Sequence, residues 1–530
     1  MAAASSASRR TARRPRVDKL VVTHRGALQA KYGQRLAGID AALKALIAAD
    51  AKRGLTTRVV ALDDAKALAA AKGRAVVRPS DERATKRAID ALYRHYAPDY
   101  VLILGASDVV PHVHLENPIN EVFAAEDHDD DETVPSDLPY ACEAGFSTRP
   151  ERFVGPTRVV GRLPDVVAAT EPDVLLGLLE RSASHAPRPR SDFAECFALS
   201  AKVWKDSTAL SVENLFGPGR LLHTSPKAGP DWTRAQLAPR IHFINCHGNT
   251  LDPTFLGEYP LEVYVEAHRS RRLKTRVAPG SVVAAECCYG AELYDPAESN
   301  GEPGICMAYL AEGACGYVGS TTISYGPSEG NGQADLICQY MIDAVLKGAS
   351  LGRAMLEARQ RFIAQYSHAD PMDLKTVAQF LLLGDPSLHP VKAPTHAFAR
   401  SETLQKAIAA KRVQPAARAL RRERLARTGS NLEATVGTAV PAKIAMPAGV
   451  RKLLRDAATE SGLIEPQFRS WRVAFPREAA GLPLPGVDAA RRGRTMHALI
   501  GRRDGAKNPS IILATVQGGA VIHVRRVHSR

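Results

Sequence analysis

From Asp18 onward, short apolar runs alternate with segments of helical spacing. Leu20–Thr23, Arg58–Leu62 and Tyr100–Leu104 are short, rich in Val, Ile and Leu, and read as strands. Between them, Leu36–Ala49 and Glu82–Tyr96 repeat apolar residues at three- and four-residue intervals, as amphipathic helices do. This alternation predicts a parallel sheet covered by helices. Gly105 and Pro111 end the third run, and a loop follows through Glu126–Glu132 (EDHDDDE), then Ser136–Glu143 (SDLPYACE) and Thr157–Pro164 (TRVVGRLP).

A second alternating unit begins near Glu195, past the polar stretch Ser182–Ser191, which reads as a linker. Its strands are expected at Cys196–Ala201, Ile241–Asn245, Ser281–Ala285 and Cys315–Gly319, its helices at Gln333–Leu346 and Leu351–Tyr366, and it closes at Phe380–Pro390. Beyond residue 396 an Arg/Ala-rich helical stretch, Glu402–Arg427, leads to a mixed region. Two β-branched runs within Ser510–Val527, around Gly518-Gly519, predict a hairpin. The expected organisation is a disordered basic tail (1–17), an N-terminal α/β subdomain (18–185), a second α/β subdomain (192–392) and a smaller basic α+β region (396–530).

Composition narrows the class. At 530 residues, 45% hydrophobic and 24% charged, the chain is ordinary globular protein of more than one domain, which excludes collagen, a coiled coil and wholesale disorder. The net charge of +14 is unevenly placed: residues 396–530 hold 25 Lys+Arg against 9 Asp+Glu, so everything before them sums to −2. A polyanionic partner, nucleic acid or an acidic protein, is therefore an expectation for residues 396–530 and the N-terminal tail only. No apolar run is long enough for a membrane helix. The first 17 residues carry arginines without the apolar core of a secretory signal. All eight cysteines lie between Cys142 and Cys338, and two are adjacent, unlike a disulfide framework. A reducing, cytoplasmic setting is expected. The acidic run Glu126–Glu132 has the carboxylates for Ca2+ but not the spacing of an EF-hand, so a solvated loop is preferred and no other cofactor is expected.

Ligands of open parallel sheets sit beyond the carboxyl ends of the strands. Two such ends carry chemistry: IHFINCHG, ending at His247-Gly248, and SVVAAECCYG, with Cys287, Cys288 and Gly290. A thiol is nucleophilic as thiolate, and a histidine on a neighbouring strand end can take its proton. Gly248 lets a backbone N–H approach a substrate carbonyl and, with the N–H of the cysteine, form an oxyanion hole. Cys246, His247, Cys287 and Cys288 are also zinc-ligand types, but adjacent cysteines rarely chelate one ion, so no metal is expected.

These residues resemble the caspase-like (clan CD) cysteine peptidases, specifically the gingipain family. The resemblance spans most of residues 18–392: Val101–Pro111, SDLPYACE, VVGRLP, the His-Gly and Cys segments, GACGYVGSTT at Gly313–Thr322, and LLGDPSL at Leu382–Leu388. It implies a caspase-like parallel sheet flanked by helices, and a cysteine endopeptidase acting on protein or peptide substrates through a thioester. It implies His247 as base and Cys287 as nucleophile from the pattern Ala-Cys-x-x-Gly. The caspase pattern Gln-Ala-Cys-x-Gly selects Cys288 instead, and Cys287 is preferred. In trypsin-like members an acidic residue about a dozen positions past the first catalytic strand holds a P1 Arg or Lys, which lands near Glu213. Tyr325 matches an aromatic pocket wall. The acidic residue that supports histidine in that family corresponds to Lys202, so Asp206 or a backbone carbonyl is expected to orient His247. The alternatives are a catalytically silent caspase-like binding module, or a peptidase whose basic C-terminal region binds nucleic acid or an acidic partner. In the absence of a secretory signal, restraint by a partner, a ligand or the C-terminal region is expected.

Overall fold

The apolar runs pair into one ten-stranded sheet, seen in a computed structural model that describes residues 17–122, 129–259, 263–365, 370–392, 413–474, 493–503 and 509–529. In spatial order its strands are Thr57–Ala61, Lys19–Thr23, Tyr100–Leu104, Val160–Leu163, Phe380–Gly384, Gly316–Ser320, Val282–Ala285, Ile241–Asn245, Cys196–Ala201 and Leu222–Ser225. Helices cover both faces, which is why the central runs lack polar alternation: Tyr100–Leu104, Ile241–Asn245 and Val282–Ala285 are buried throughout. Every neighbouring pair is parallel except Phe380–Gly384 against Gly316–Ser320. The two α/β halves therefore share one sheet, and a single apolar core runs from Val17 to Val391 and takes in Leu432 and Val436 of the basic region.

The short motifs are tied together by buried charge. VVGRLP forms the strand Val160–Leu163 rather than a loop, and its Arg162, fully buried, forks onto Asp137 of SDLPYACE at 2.8 and 2.6 Å. Burial alone would raise the Asp137 pKa, but Arg162 and His112 hold it well below the carboxylate range. Asp385 of LLGDPSL accepts the buried ammonium of Lys19, which also meets Asp50 at 2.9 Å. In the acidic run, Asp129 and Asp131 meet the buried Lys375 ammonium at 2.5 and 2.8 Å, while Glu126, Asp127 and His128 lie outside the described residues.

Beyond the main sheet, the helix Val413–Thr435 packs on Leu351–Gln365. The strands Thr438–Pro441, Ile464–Ala474, Thr495–Arg502, Ser510–Gln517 and Ala520–Ser529 form an antiparallel sheet backed by the helix Ala448–Glu460. The hairpin at Gly518-Gly519 is present, with φ of 57° and 82°, values that favour glycine. Tyr325–Gly326 joins this sheet as a sixth strand by pairing with Ala520–Ser529. The basic region thus lies against its own acidic body, with Arg421 paired to Asp99 and Arg525 to Asp370 and Asp373.

Candidate active site

Ile241–Asn245 and Val282–Ala285 run parallel in the register Ile241↔Val282 to Ile244↔Ala285. Continued three residues, that register sets His247 opposite Cys288 and Cys246 opposite Cys287. The side chains follow it: the backbone N–H of Cys246 donates to Cys287 Sγ at 3.3 Å, and the Cys287 thiol lies in the main core beneath the strand ends. Burial pushes the Cys287 pKa well above that of a free thiol, with the neighbouring Cys246 adding to it, the reverse of what a thiolate nucleophile needs.

Cys288 faces the other way. Its Sγ accepts the backbone N–H of Ser324 at 3.1 Å, and its side chain joins a second apolar cluster with Ile323, Tyr325 and Met372. Gly248, next to His247, sits directly on the Cys288 peptide: a Cβ there would lie 1.9 Å from the Cys288 carbonyl oxygen, so only glycine fits. The following residue, Tyr289, has a φ of +53°, which costs a non-glycine residue about 1–2 kcal/mol. The turn is pinned by Tyr289 N–H to Thr322 O at 3.0 Å and Tyr289 OH to Asp131 at 2.8 Å.

His247 is held on three sides. Its backbone exchanges hydrogen bonds with Leu256, at 2.9 and 2.8 Å, in the strand Thr254–Tyr259, which forms a hairpin with Val263–Arg269. Two residues along, on the same side of the pleat, the buried Glu258 carboxylate lies 2.7 Å from His247 Nε2. The Trp204 ring packs against it, tilted by 49°, at 4.3 Å between centroids, and Tyr264 meets the imidazole edge-on at 5.0 Å. The carboxylate that meets the His247 ring is thus Glu258. Asp206 is exposed on the helix Lys205–Phe216, and Lys202 reaches the ring of Tyr259. The only local signal for Glu258 was a carboxylate in a short run bounded by Pro253 and Pro260, with nothing to show that the run folds back on His247. A second carboxylate, Glu292, ties the loop after His247 to the segment after Cys288 by accepting Leu251 N–H at 2.7 Å and Thr250 OH at 2.9 Å.

Glu213 is exposed on the same helix as Asp206. Tyr325 is buried, with its hydroxyl on Asp129 at 3.1 Å, so its ring packs inward and its backbone presents the edge. A cavity of about 720 Å³ runs from Trp204 to Asp373 between the 327–333 segment and the strand Ala520–Ser529, and Glu213 does not line it.

The model of Peptidase family C25 matches residues 13–168 and 255–391, more than half of the chain. The protein belongs to peptidase family C25. It is therefore a cysteine peptidase, acting on protein or peptide substrates. Cys287, Cys288 and Glu258 fall in the matched segments of this C25 peptidase, whereas His247 and Glu213 fall between them. No curated protein matches by sequence. Among solved structures, a protease aligns over 96% of both chains at 11% identity with a TM-score of 0.46. The Saccharomyces cerevisiae separase–securin complex aligns at 13–14% identity, over 44–58% of this chain and 14–17% of that one, with TM-scores of 0.27 and 0.29. Among the described residues of the C25 peptidase, no helix is long and apolar enough to cross a membrane.

Proposed function

We propose that the protein is an endopeptidase in which Cys288 is the nucleophile, His247 the base and Glu258 the group that orients it. The observation that carries this reading is the opposition of the two adjacent cysteines. The strand register sets Cys288 opposite His247, with its Sγ on the Ser324 N–H, and Cys287 lies in the core. With Nε2–H donating to Glu258, His247 Nδ1 accepts the thiol proton. The thiolate attacks the scissile carbonyl carbon, and the N–H groups of Gly248 and Cys288 are suited to hold the oxyanion. The C–N bond breaks as His247 returns the proton to the leaving amine. Water then hydrolyses the thioester and regenerates the thiol.

A preference for Arg or Lys draws support from acids within the cleft. The buried acid that lines the cavity is Asp373, with the equally buried Asp370 beside it on Arg525, whereas Glu213 is exposed and does not line it. The test is a pair of variants assayed on labelled peptides and with a peptidyl electrophile traced by mass spectrometry. Cys288→Ala is expected to lower turnover by at least about 10³-fold and abolish labelling. Cys287→Ala is expected to keep turnover within a few-fold, at about 1 kcal/mol of stability for the lost core sulfur. Loss of turnover in Cys287→Ala with a normal melting transition would reverse the assignment.

A further inference from the structure

An extended peptide satisfies its backbone by adding to an exposed strand edge. The edge beside the Cys288 thiol is Ser324–Gly326, since Ser324 N–H is the group bonded to Cys288 Sγ. That edge is filled by the protein's own last strand: Tyr325 pairs with Ser529 and Gly326 with His528, antiparallel. Moving C-terminally along this strand therefore leads from Gly326 towards Ser324 and the thiol. This is the polarity required of the acyl half of a substrate, whose scissile carbonyl lies at its C-terminal end. The same strand carries Arg525, whose guanidinium reaches Asp373 at 2.8 and 2.9 Å and Asp370 at 3.1 Å. Both carboxylates are buried, and Gln333 Nε2 donates to Asp373 at 3.1 Å. With Val527, Trp471 and Leu513 packed on its side, Cys288 is only 2% exposed.

We infer that the cleft between Tyr325–Gly326 and the Asp370/Asp373 pair is the docking site for an extended substrate with a basic side chain four residues N-terminal to the one opposite Tyr325, and that Ala520–Ser529 occupies it as an intramolecular stand-in. This rests on Cys288 being the nucleophile. Charge complementarity selects the occupant: two carboxylates in one buried pocket demand a cation, and a planar guanidinium satisfies both. The substrate must therefore displace the strand, or a partner must lift it, before the thiol can react.

The experiment is alkylation of Cys288 by iodoacetamide in the full-length protein, followed by mass spectrometry, with Cys287 as the reporter of unfolding in the same spectra. Arg525→Glu, which sets like charges against each other, is expected to speed Cys288 alkylation at least tenfold with Cys287 unreacted. Arg525→Gln, a milder change, is expected to give a smaller rise. A synthetic peptide of residues 520–529 added to Arg525→Glu protein should restore protection, and the same peptide with Arg525→Ala should need at least fivefold more. Unchanged alkylation in both variants overturns the stand-in, and a rise that the peptide does not reverse overturns the docking site. If alkylation and protection behave as expected while no peptide is cleaved by any form, docking is upheld and the peptidase assignment of this cleft fails instead.

Discussion

At the carboxyl ends of Tyr100–Leu104 and Val160–Leu163 the polar groups close on one another. Arg162 donates to Asp137 and to the carbonyls of Gly105 and Val110 at 2.9 and 2.7 Å, and Asp165 takes Ala106 N–H and the Lys31 ammonium, both at 2.6 Å. At the carboxyl ends of Ile241–Asn245 and Val282–Ala285 the corresponding positions hold His247, Gly248 and Cys288, and Val527 of the strand Ala520–Ser529 shares an apolar cluster with Cys288. The sheet is continuous and the strands within each half are parallel, the halves running opposite ways across Phe380–Gly384 and Gly316–Ser320, so architecture offers strand ends for a site on both sides. In the first half the polar groups at the strand ends are satisfied by their own buried ion pairs. The other half leaves an edge and a thiol, which a peptide-like strand covers.

The sharpest way to break this comparison is to open the filled half. Arg162→Ala leaves the Asp137 carboxylate buried with only His112 to answer it, and is expected to cost about 3–5 kcal/mol in urea unfolding. Alkylation of Cys288 in the fraction that remains folded should be unchanged. A variant of normal stability with lost activity would mean that this half serves catalysis directly. Next in size is Glu258→Gln, which replaces a charge-assisted bond to His247 by a neutral one. A 10–100-fold fall in kcat, equivalent to about 1.4–2.7 kcal/mol, is expected, with KM within twofold. A change in KM alone would make Glu258 part of substrate binding and not of histidine positioning.

How far the sequence reveals this contrast differs element by element. The buried runs such as YVLIL and IHFIN, and the glycine pair of the final hairpin, mark their strands because periodicity and turn chemistry are local properties. His247 and the cysteine pair are legible for the same reason, as polar residues ending apolar runs. What is missed depends on register and long-range pairing. Telling the surroundings of Cys287 and Cys288 apart requires the alignment of Ile241–Asn245 with Val282–Ala285, and bringing Glu258 to His247 requires a hairpin that folds back onto it. The acidic pair Asp370 and Asp373 lies about 80 residues beyond the cysteines and has meaning only once Arg525 reaches it. Glu213 illustrates the converse: a count along the chain from a strand end finds a carboxylate, but the helix turns it to solvent.

The smallest expected effect probes how the loop after His247 is fixed. Burial raises the pKa of Glu292 to about 7, although Leu251 N–H and Thr250 OH both favour its charged form. Because this pKa is raised above the unfolded value, Glu292 binds its proton more tightly in the fold, and its burial penalty grows as pH rises from about 4.5 to about 7. Above pH 7 the carboxylate accepts both donors and clamps the loop to the segment after Cys288. Below it the neutral carboxyl holds them more weakly. Glu292→Gln keeps one acceptor oxygen and cannot titrate. It should therefore cost no more than about threefold in kcat/KM at pH 8, about 0.65 kcal/mol, and flatten the acid limb between pH 5.5 and 7.5. An acid limb identical to that of the unaltered protein would assign that limb to other groups of the site and reduce Glu292 to a structural tie.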